Sequence, residues 1–293
     1  MAKRKWLRCL PEDAADAARR AKETLTELRL RADRPAQLCT ADGDRFLDAP
    51  ISAQELRGIA VRLMEHSYYA REDELAQGFF TLSDGSRAGV SGTYVSRGGE
   101  VLSLREIGSL CIRFAREMPG CAQKLTELIA PGENLRSALV VSPPGLGKTT
   151  MLRDAARLLS EAGWNVGIAD ERHELAACLR GVPTLNVGPR TDVADGCPKA
   201  QGMERLLRSM APDVLITDEL GPEDVKAVAL ALHRGVAMLA SCHARTVDEV
   251  LRGFAGPMLG VGGFERIVLL GGVPGHIAEW RDLSGEAGKC AND

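Results

Sequence analysis

One stretch of the chain has the residue types and spacing of a phosphate cradle: Val140-Val141-Ser142-Pro143-Pro144-Gly145-Leu146-Gly147-Lys148-Thr149-Thr150. The segment Pro144, Gly145, Leu146, Gly147, Lys148, Thr149 and Thr150 would wrap an anion, because small residues let backbone N–H groups curl around phosphate oxygens. Those groups have no intrahelical partner at a helix start, and the helix dipole favours negative charge there. Lys148 would reach the β- and γ-phosphates of ATP, and the Thr149 hydroxyl would hold Mg²⁺. The strict pattern G-x-x-x-x-G-K-[ST] asks for Gly at 142, where this chain has Ser142, so the surrounding residues must decide.

Two acidic segments follow. Asp218-Glu219 closes the apolar run 214–217. A carboxylate at the end of a strand beside the phosphate loop is where Mg²⁺ needs a ligand, so Asp218 is the candidate metal ligand and Glu219 could polarise water. Asp170-Glu171-Arg172-His173-Glu174 ends another apolar run, 166–169. Its three carboxylates are expected to face the same crevice. Glu171 and Glu174 are rival candidates for the water-activating base, unless they are salt-bridged surface acids. His243 ends a further apolar run, 236–241, and either contacts the γ-phosphate or is a hydrogen-bonded structural residue. Transition-state charge also calls for an arginine. The candidates are Arg87, Arg113, Arg172, Arg190 and Arg208, against a background of ordinary surface ion pairs.

These residues need elements to hold them. Strand 137–141 leads into the phosphate loop, and residues 151–159 carry apolar positions at helical spacing. Strands at 166–169, 213–217 and 236–241 alternate with helices at 202–210 and 222–233. That βα order calls for a parallel sheet covered by helices. Segments 264–270 and 276–280, separated by Gly271-Gly272-Val273-Pro274-Gly275, read as a terminal antiparallel hairpin at one edge, with 284–293 frayed. Upstream, helices are expected at 11–24, at 52–65 behind a Ser52 cap, and at 71–77. Short strands are expected at 27–31, 36–40, 45–47, 79–82, 88–95 and 110–114, with turns at Asp84-Gly85 and Gly98-Gly99. A connecting helix at 121–129 leads to a boundary at Pro131-Gly132-Glu133-Asn134. The expected domains are an α+β unit, 1–130, and an α/β unit, 131–293.

Composition narrows the class. At 293 residues, 45% hydrophobic and 26% charged, the chain fits a soluble protein of one large or two ordinary domains. A net charge of −3 with 4% aromatics argues against a nucleic-acid surface. No apolar run approaches a membrane span, and the basic start, Lys3-Arg4-Lys5, lacks the apolar stretch of a secretory signal. Eight cysteines without C-x-x-C spacing point to reduced, mostly buried thiols in a cytoplasmic protein.

Several segments together resemble the secretion, or traffic, ATPases of type II and type IV secretion and of pilus motors. Asp170-Glu171-Arg172-His173-Glu174-Leu175 is similar to that family's acidic box, and Ser241-Cys242-His243-Ala244-Arg245-Thr246 to its histidine box. Within it the likeness is greatest to the sporulation branch, the stage III sporulation AA family. It rests on Ser142-Pro143-Pro144-Gly145, Val187-Gly188-Pro189-Arg190-Thr191-Asp192-Val193, Asp195-Gly196-Cys197-Pro198-Lys199-Ala200 and Arg208-Ser209-Met210-Ala211-Pro212-Asp213. His66-Ser67-Tyr68-Tyr69-Ala70 and Glu27-Leu28-Arg29-Leu30-Arg31 add to it.

The resemblance implies a RecA-like P-loop ATPase domain preceded by a smaller α+β domain. It implies Mg²⁺-dependent hydrolysis of ATP by a homo-oligomeric ring, a hexamer, with ATP between domains and between neighbouring subunits. The setting would be the mother-cell cytoplasm of an endospore former, beside a secretion-like channel whose membrane proteins are separate partners. Glu174 matches the family's usual base, and Arg87 and Arg113 lie in segments like the strands whose arginines reach the γ-phosphate. Two features depart from the family. The four-cysteine zinc insertion of many type II members is missing, and Asp218 stands where many have a small residue, so the division of labour between Glu174 and Glu219 stays open. Two other classes share these motifs: a nucleic-acid-dependent P-loop ATPase, and a nucleotide-gated scaffold with little turnover.

Overall fold

A computed structural model describes residues 5–21, 25–40, 42–64, 75–76, 78–82, 86–98, 100–113, 117–253, 255–259, 263–283 and 287–289. They fall into two compact units, Met1–Ala115 and Arg116–Asp293.

In the first unit, helices α1 (Glu12–Arg20) and α2 (Ala53–Leu63) accompany strands β1 (Leu25–Arg31), β2 (Arg34–Thr40), β3 (Gly43–Ile51), β4 (Phe79–Thr81), β5 (Arg87–Arg97) and β6 (Glu100–Arg113). The sheet order is β3-β2-β1-β6-β5-β4, with every neighbouring pair antiparallel. Alternation explains β1: Leu28 and Leu30 are buried with Ala14, Ala18, Leu56 and Ile59 of the helices, while Glu27 and Arg29 face outward. The Ser52 Oγ accepts a hydrogen bond from the Glu55 amide at 3.2 Å, as the cap spacing predicts. Ser52→Ala should lower stability by about 1 kcal/mol, read from the thermal or urea midpoint. Arg87 and Arg113 are register partners across β5 and β6. The Arg87 guanidinium lies 3.6 Å from the Phe79 ring centroid, and Arg113 Nε is 3.3 Å from Glu27 Oε1.

Some expectations shift here. Helix α1 stops at Arg20. The 66–70 segment, the Asp84-Gly85 turn and most of helix 71–77 lie outside the described residues.

The second unit contains α3 (Gln123–Ile129), β7 (Ala138–Val141), α4 (Lys148–Glu161), β8 (Val166–Asp170), β9 (Thr191–Asp195), α5 (Lys199–Ser209) and β10 (Val214–Thr217). It continues through α6 (Val225–His233), β11 (Ala237–Cys242), α7 (Val247–Arg252), β12 (Arg266–Leu270), β13 (Ile277–Asp282) and β14 (Ala287–Lys289). The sheet runs β14-β13-β12-β7-β11-β10-β8-β9. Its pairs from β12 to β9 are parallel. Strands β7, β8, β10 and β11 are buried at every residue, because helices cover both faces. Alternate side chains feed two cores. Val140, Val214, Ile216 and Leu239 pack with Met151 and Ala155 of α4. Leu139, Val141, Leu215 and Met238 pack with Met203 of α5 and Val228 of α6.

The fold is α/β, as the alternating pattern predicts, with three differences. β9, Thr-Asp-Val-Ala-Asp, has no apolar run to announce it. It forms because Asp170 and its predecessors offer an open parallel edge, in register from Val166↔Thr191 to Asp170↔Asp195. The terminal hairpin is present, but β12 pairs in parallel with β7, directly beside the phosphate-loop strand. Residues 287–289, expected to fray, pair with β13 as an added edge strand.

Candidate nucleotide-binding site

The strand order puts the carboxyl ends of β7, β11, β10 and β8 side by side. This is where open α/β sheets place ligands. After β7, Gly145 and Gly147 turn with φ of 82° and 85°, a region that a Cβ disfavours. Gly147 is also hemmed in by the hairpin turn, whose Gly275 N–H donates to Leu146 O at 3.0 Å. α4 then starts at Lys148 with no side-chain cap. Its first amides are thus left for another acceptor, the arrangement an anion site needs.

Lys148 is buried and its Nζ donates to Ser142 O at 3.0 Å, Pro143 O at 3.2 Å and Ser142 Oγ at 3.2 Å. The hydroxyl that interrupts the strict motif therefore holds the motif's lysine. Burial lowers the pKa of Lys148, while Glu219, Cys242 and Asp218 oppose that shift. Lys148 Nζ also lies 3.0 Å from His243 Nδ1. An ammonium only donates, so its three N–H groups are shared among these four partners, Nδ1 accepts and Nε2–H faces Glu219 Oε1 at 3.1 Å. The second Glu219 oxygen pairs with Arg172 Nη1. Lys148, His243, Glu219 and Arg172 thus form one continuous polar chain across three strand ends.

Glu219 has φ 44°, which costs a non-glycine residue about 1 kcal/mol. Ser241 holds it there: its Oγ accepts the Glu219 amide at 3.0 Å and its carbonyl the Leu220 amide at 2.8 Å. Beside it, Asp218 is 2% exposed. Burial, then the charges of Asp170, Glu174 and Glu219, push its carboxyl up to about 7 against the pull of Lys199. Asp218 Oδ2 is the buried side-chain oxygen left without a hydrogen-bond partner among the described residues.

Asp170 does not face the crevice, contrary to expectation. Its carboxylate turns back and accepts the amides of Glu174 at 2.8 Å, Leu175 at 3.1 Å and Ala176 at 2.8 Å. Buried Arg153 of α4 clamps the same loop from below, donating to Leu175 O at 2.7 Å and to Glu174 O. With its backbone fixed twice, Glu174 carries a half-buried carboxylate that makes no hydrogen bond among the described residues. It is close enough to raise the pKa of Asp218. Glu171 is more exposed and stands 3.9 Å from Lys199 Nζ.

The structure therefore brings together Lys148, His243, Glu219, Arg172, Asp218, Glu174 and Glu171. Arg208 forms an exposed pair with Glu204 at 3.6 Å, and Arg190 supports β8 through its backbone. Arg87 and Arg113 belong to the first unit. The sequence reading missed Arg153 and Lys199, and it read 271–275 as a hairpin turn without its contact with Leu146. Lys199 offered one faint signal, a cation opening a helix, where the dipole disfavours it.

The residues fit a nucleotide and Mg²⁺. Asp218 Oδ2 is a buried carboxyl oxygen without a donor among the described residues, and the Thr149 hydroxyl lies in the first turn of the adjacent helix. Among the described residues no cluster of three or more His, Cys, Asp or Glu could hold a metal by itself. Mg²⁺ sites of this kind draw their remaining ligands from phosphates and water. None of the described cysteines forms a disulfide. Cys178 and Cys242 are buried and the other five partly exposed, fewer buried than expected. Among the described residues no helix is long and apolar enough to cross a membrane.

Comparison with known proteins places the chain in a family and a fold. A family model described as "Sporulation stage III, protein AA" matches residues 12–287. The chain is 39% identical over 234 residues to the stage III sporulation protein AA of Bacillus subtilis (strain 168), covering 78% of this chain and 76% of that one. It is 31% identical over 170 residues to protein SEEDLING PLASTID DEVELOPMENT 1 of Arabidopsis thaliana, covering 57% of this chain and 24% of that one. Two solved structures share the fold at 16% identity and a TM-score of 0.60. The Legionella pneumophila ATPase DotB covers 87% of this chain over 74% of its own length. The pilus retraction motor PilT with bound ADP covers 87% over 76%. The chain belongs to the stage III sporulation protein AA family and shares the fold of the ATPase DotB and the pilus retraction motor PilT.

Proposed function

We propose that the chain is a Mg²⁺-dependent ATPase of a ring-shaped homo-oligomer, a hexamer, that energises a secretion-like channel during endospore formation. It acts from the mother-cell cytoplasm, beside separate membrane channel proteins. One observation carries the reading: among the described residues, a buried lysine, a buried aspartate oxygen without a donor and a carboxylate without a hydrogen bond gather beside one glycine-turned helix start.

Pro144 to Thr150 cradle the phosphates, and Lys148 exchanges its carbonyl acceptors for phosphate oxygens. Thr149 and Asp218 hold Mg²⁺, which neutralises developing phosphate charge when bound. Glu174 takes the proton of the attacking water. Glu219 serves the same step indirectly, because both its oxygens are already engaged by His243 and Arg172. His243 links the phosphate-loop lysine to Glu219 and so reports phosphate occupancy to the β10 turn. Glu171 stays with Lys199. Arg87 and Arg113 supply cations from the first unit to a γ-phosphate, each giving up its present partner to do so.

The test is ATP hydrolysis by the purified chain with and without Mg²⁺, together with its solution mass with a non-hydrolysable ATP analogue. Lys148→Ala should cut hydrolysis about a hundredfold, since one aimed cation on a transferring phosphoryl group is worth that much. Binding without turnover in the assembled ring would indicate a nucleotide-gated scaffold. Hydrolysis that appears only with DNA would indicate the nucleic-acid-dependent class. Either result overturns the motor reading.

A further inference from the structure

Lys199 opens α5 and is buried, with a side chain 7% exposed. Its Nζ donates to the carbonyl of Asp218 at 3.3 Å and to that of Glu219. It also pairs with Asp224 Oδ2 at 3.4 Å. Three donors thus meet three acceptors, and Glu171 Oε2 stands outside them at 3.9 Å. Asp224 is itself buried, and the same Oδ2 accepts the Gly221 amide at 2.9 Å.

These contacts complete a frame around the 218–221 turn. Ser241 fixes the Glu219 and Leu220 amides. Asp224 fixes the Gly221 amide, and Lys199 fixes the two carbonyls. A left-handed non-glycine residue persists only where its surroundings over-determine it. Here the over-determination comes from three directions, and Lys199 is the one charged donor among them. The consequence falls on the neighbouring side chain. With its backbone held at the carbonyl, Asp218 keeps Oδ2 buried where, among the described residues, no protein donor meets it.

We propose that Lys199 is a positioning residue, an ammonium that locks the Asp218-Glu219 turn from beneath so that Asp218 presents its oxygen to the nucleotide-bound cation. The inference rests on the nucleotide reading above but does not follow from the phosphate-loop motif, since among the described residues the hydrogen bonds and ion pairs of Lys199 go to Asp218, Glu219, Asp224 and Glu171 and not to residues 142–150. It assigns Lys199 no contact with substrate. Asp224 is its counter-ion, a second support reached through the lysine.

The experiment uses the full chain and a fluorescent ADP analogue, mant-ADP, titrated in EDTA and again in Mg²⁺, with kcat and KM for ATP measured alongside. Lys199→Met is expected to leave mant-ADP affinity in EDTA unchanged. It should lower the Mg²⁺-dependent gain in affinity, and kcat, about tenfold, as removal of an outer-shell support does. Lys199→Arg, which keeps the charge, should recover part of both. A structural role alone would weaken binding in EDTA and in Mg²⁺ alike. Should Lys199→Met fail to fold, Lys199→Gln, neutral but still a donor, gives the same reading. A folded variant with wild-type Mg²⁺ dependence and kcat overturns the proposal and leaves the nucleotide reading intact. A wild-type chain that binds no mant-ADP overturns both.

Discussion

Glu174→Gln is expected to abolish steady-state ATP hydrolysis, by about a thousandfold, while nucleotide still binds; a positioned general base contributes on that order. The exchange removes the proton acceptor and little else. The backbone of Glu174 is fixed by Asp170 and Arg153; among the described residues no hydrogen bond joins either to its carboxylate, whose charge Arg153 feels. The loop should keep its shape and the variant its unfolding midpoint. Glu219→Gln is expected to behave differently. Its oxygens accept from His243 and Arg172, and an amide keeps one acceptor but turns an N–H toward the other donor. It should lower kcat by a smaller factor and also disturb ATP binding, because the chain through His243 ends on Lys148. Single-turnover hydrolysis beside equilibrium binding separates the two. Near-normal turnover in Glu174→Gln, with loss of turnover in Glu219→Gln, would reverse the assignment.

The ambiguity between these acids shows where the sequence is legible. The four buried strands could be read directly, since a parallel strand covered on both faces is an uninterrupted apolar run. The glycine turn into α4 and the acid after β10 could be read from residue types alone. Which acid is engaged could not. Asp170, Glu171 and Glu174 look alike in the chain, yet Asp170 is consumed by three backbone amides and Glu171 stands by a buried lysine. Those fates depend on where α4 and α5 deliver Arg153 and Lys199, which is long-range packing. β9 escaped for a related reason. Its residues are polar and its strand state comes from the edge of β8, a tertiary override of weak local propensity. Ser142 was a flaw in the motif by spacing and is a hydrogen-bond partner of Lys148 in three dimensions.

Asp218→Asn should make the nucleotide-free protein more stable at neutral and alkaline pH. In the folded chain burial lifts the Asp218 carboxyl from its ordinary 3.8 to about 7. Between these values the native state keeps a proton that the unfolded chain has released. Linkage then makes stability fall as pH rises from about 4 to about 7, and above that the whole penalty stands. A gap of this size corresponds to about 4 kcal/mol, of which about half or more should be recovered by an isosteric group that cannot ionise. Urea unfolding at pH 8 should therefore favour the variant by about 2–4 kcal/mol, and the difference should vanish near pH 4. Ligand reverses the order. Mg²⁺ with ADP should raise the wild-type midpoint and leave the variant nearly unmoved, because the anionic oxygen that destabilises the empty site is the one offered to the cation. Equal stability of the two proteins at pH 8 would mean that Asp218 is solvated, and the case for it as the buried metal ligand would fall with that result.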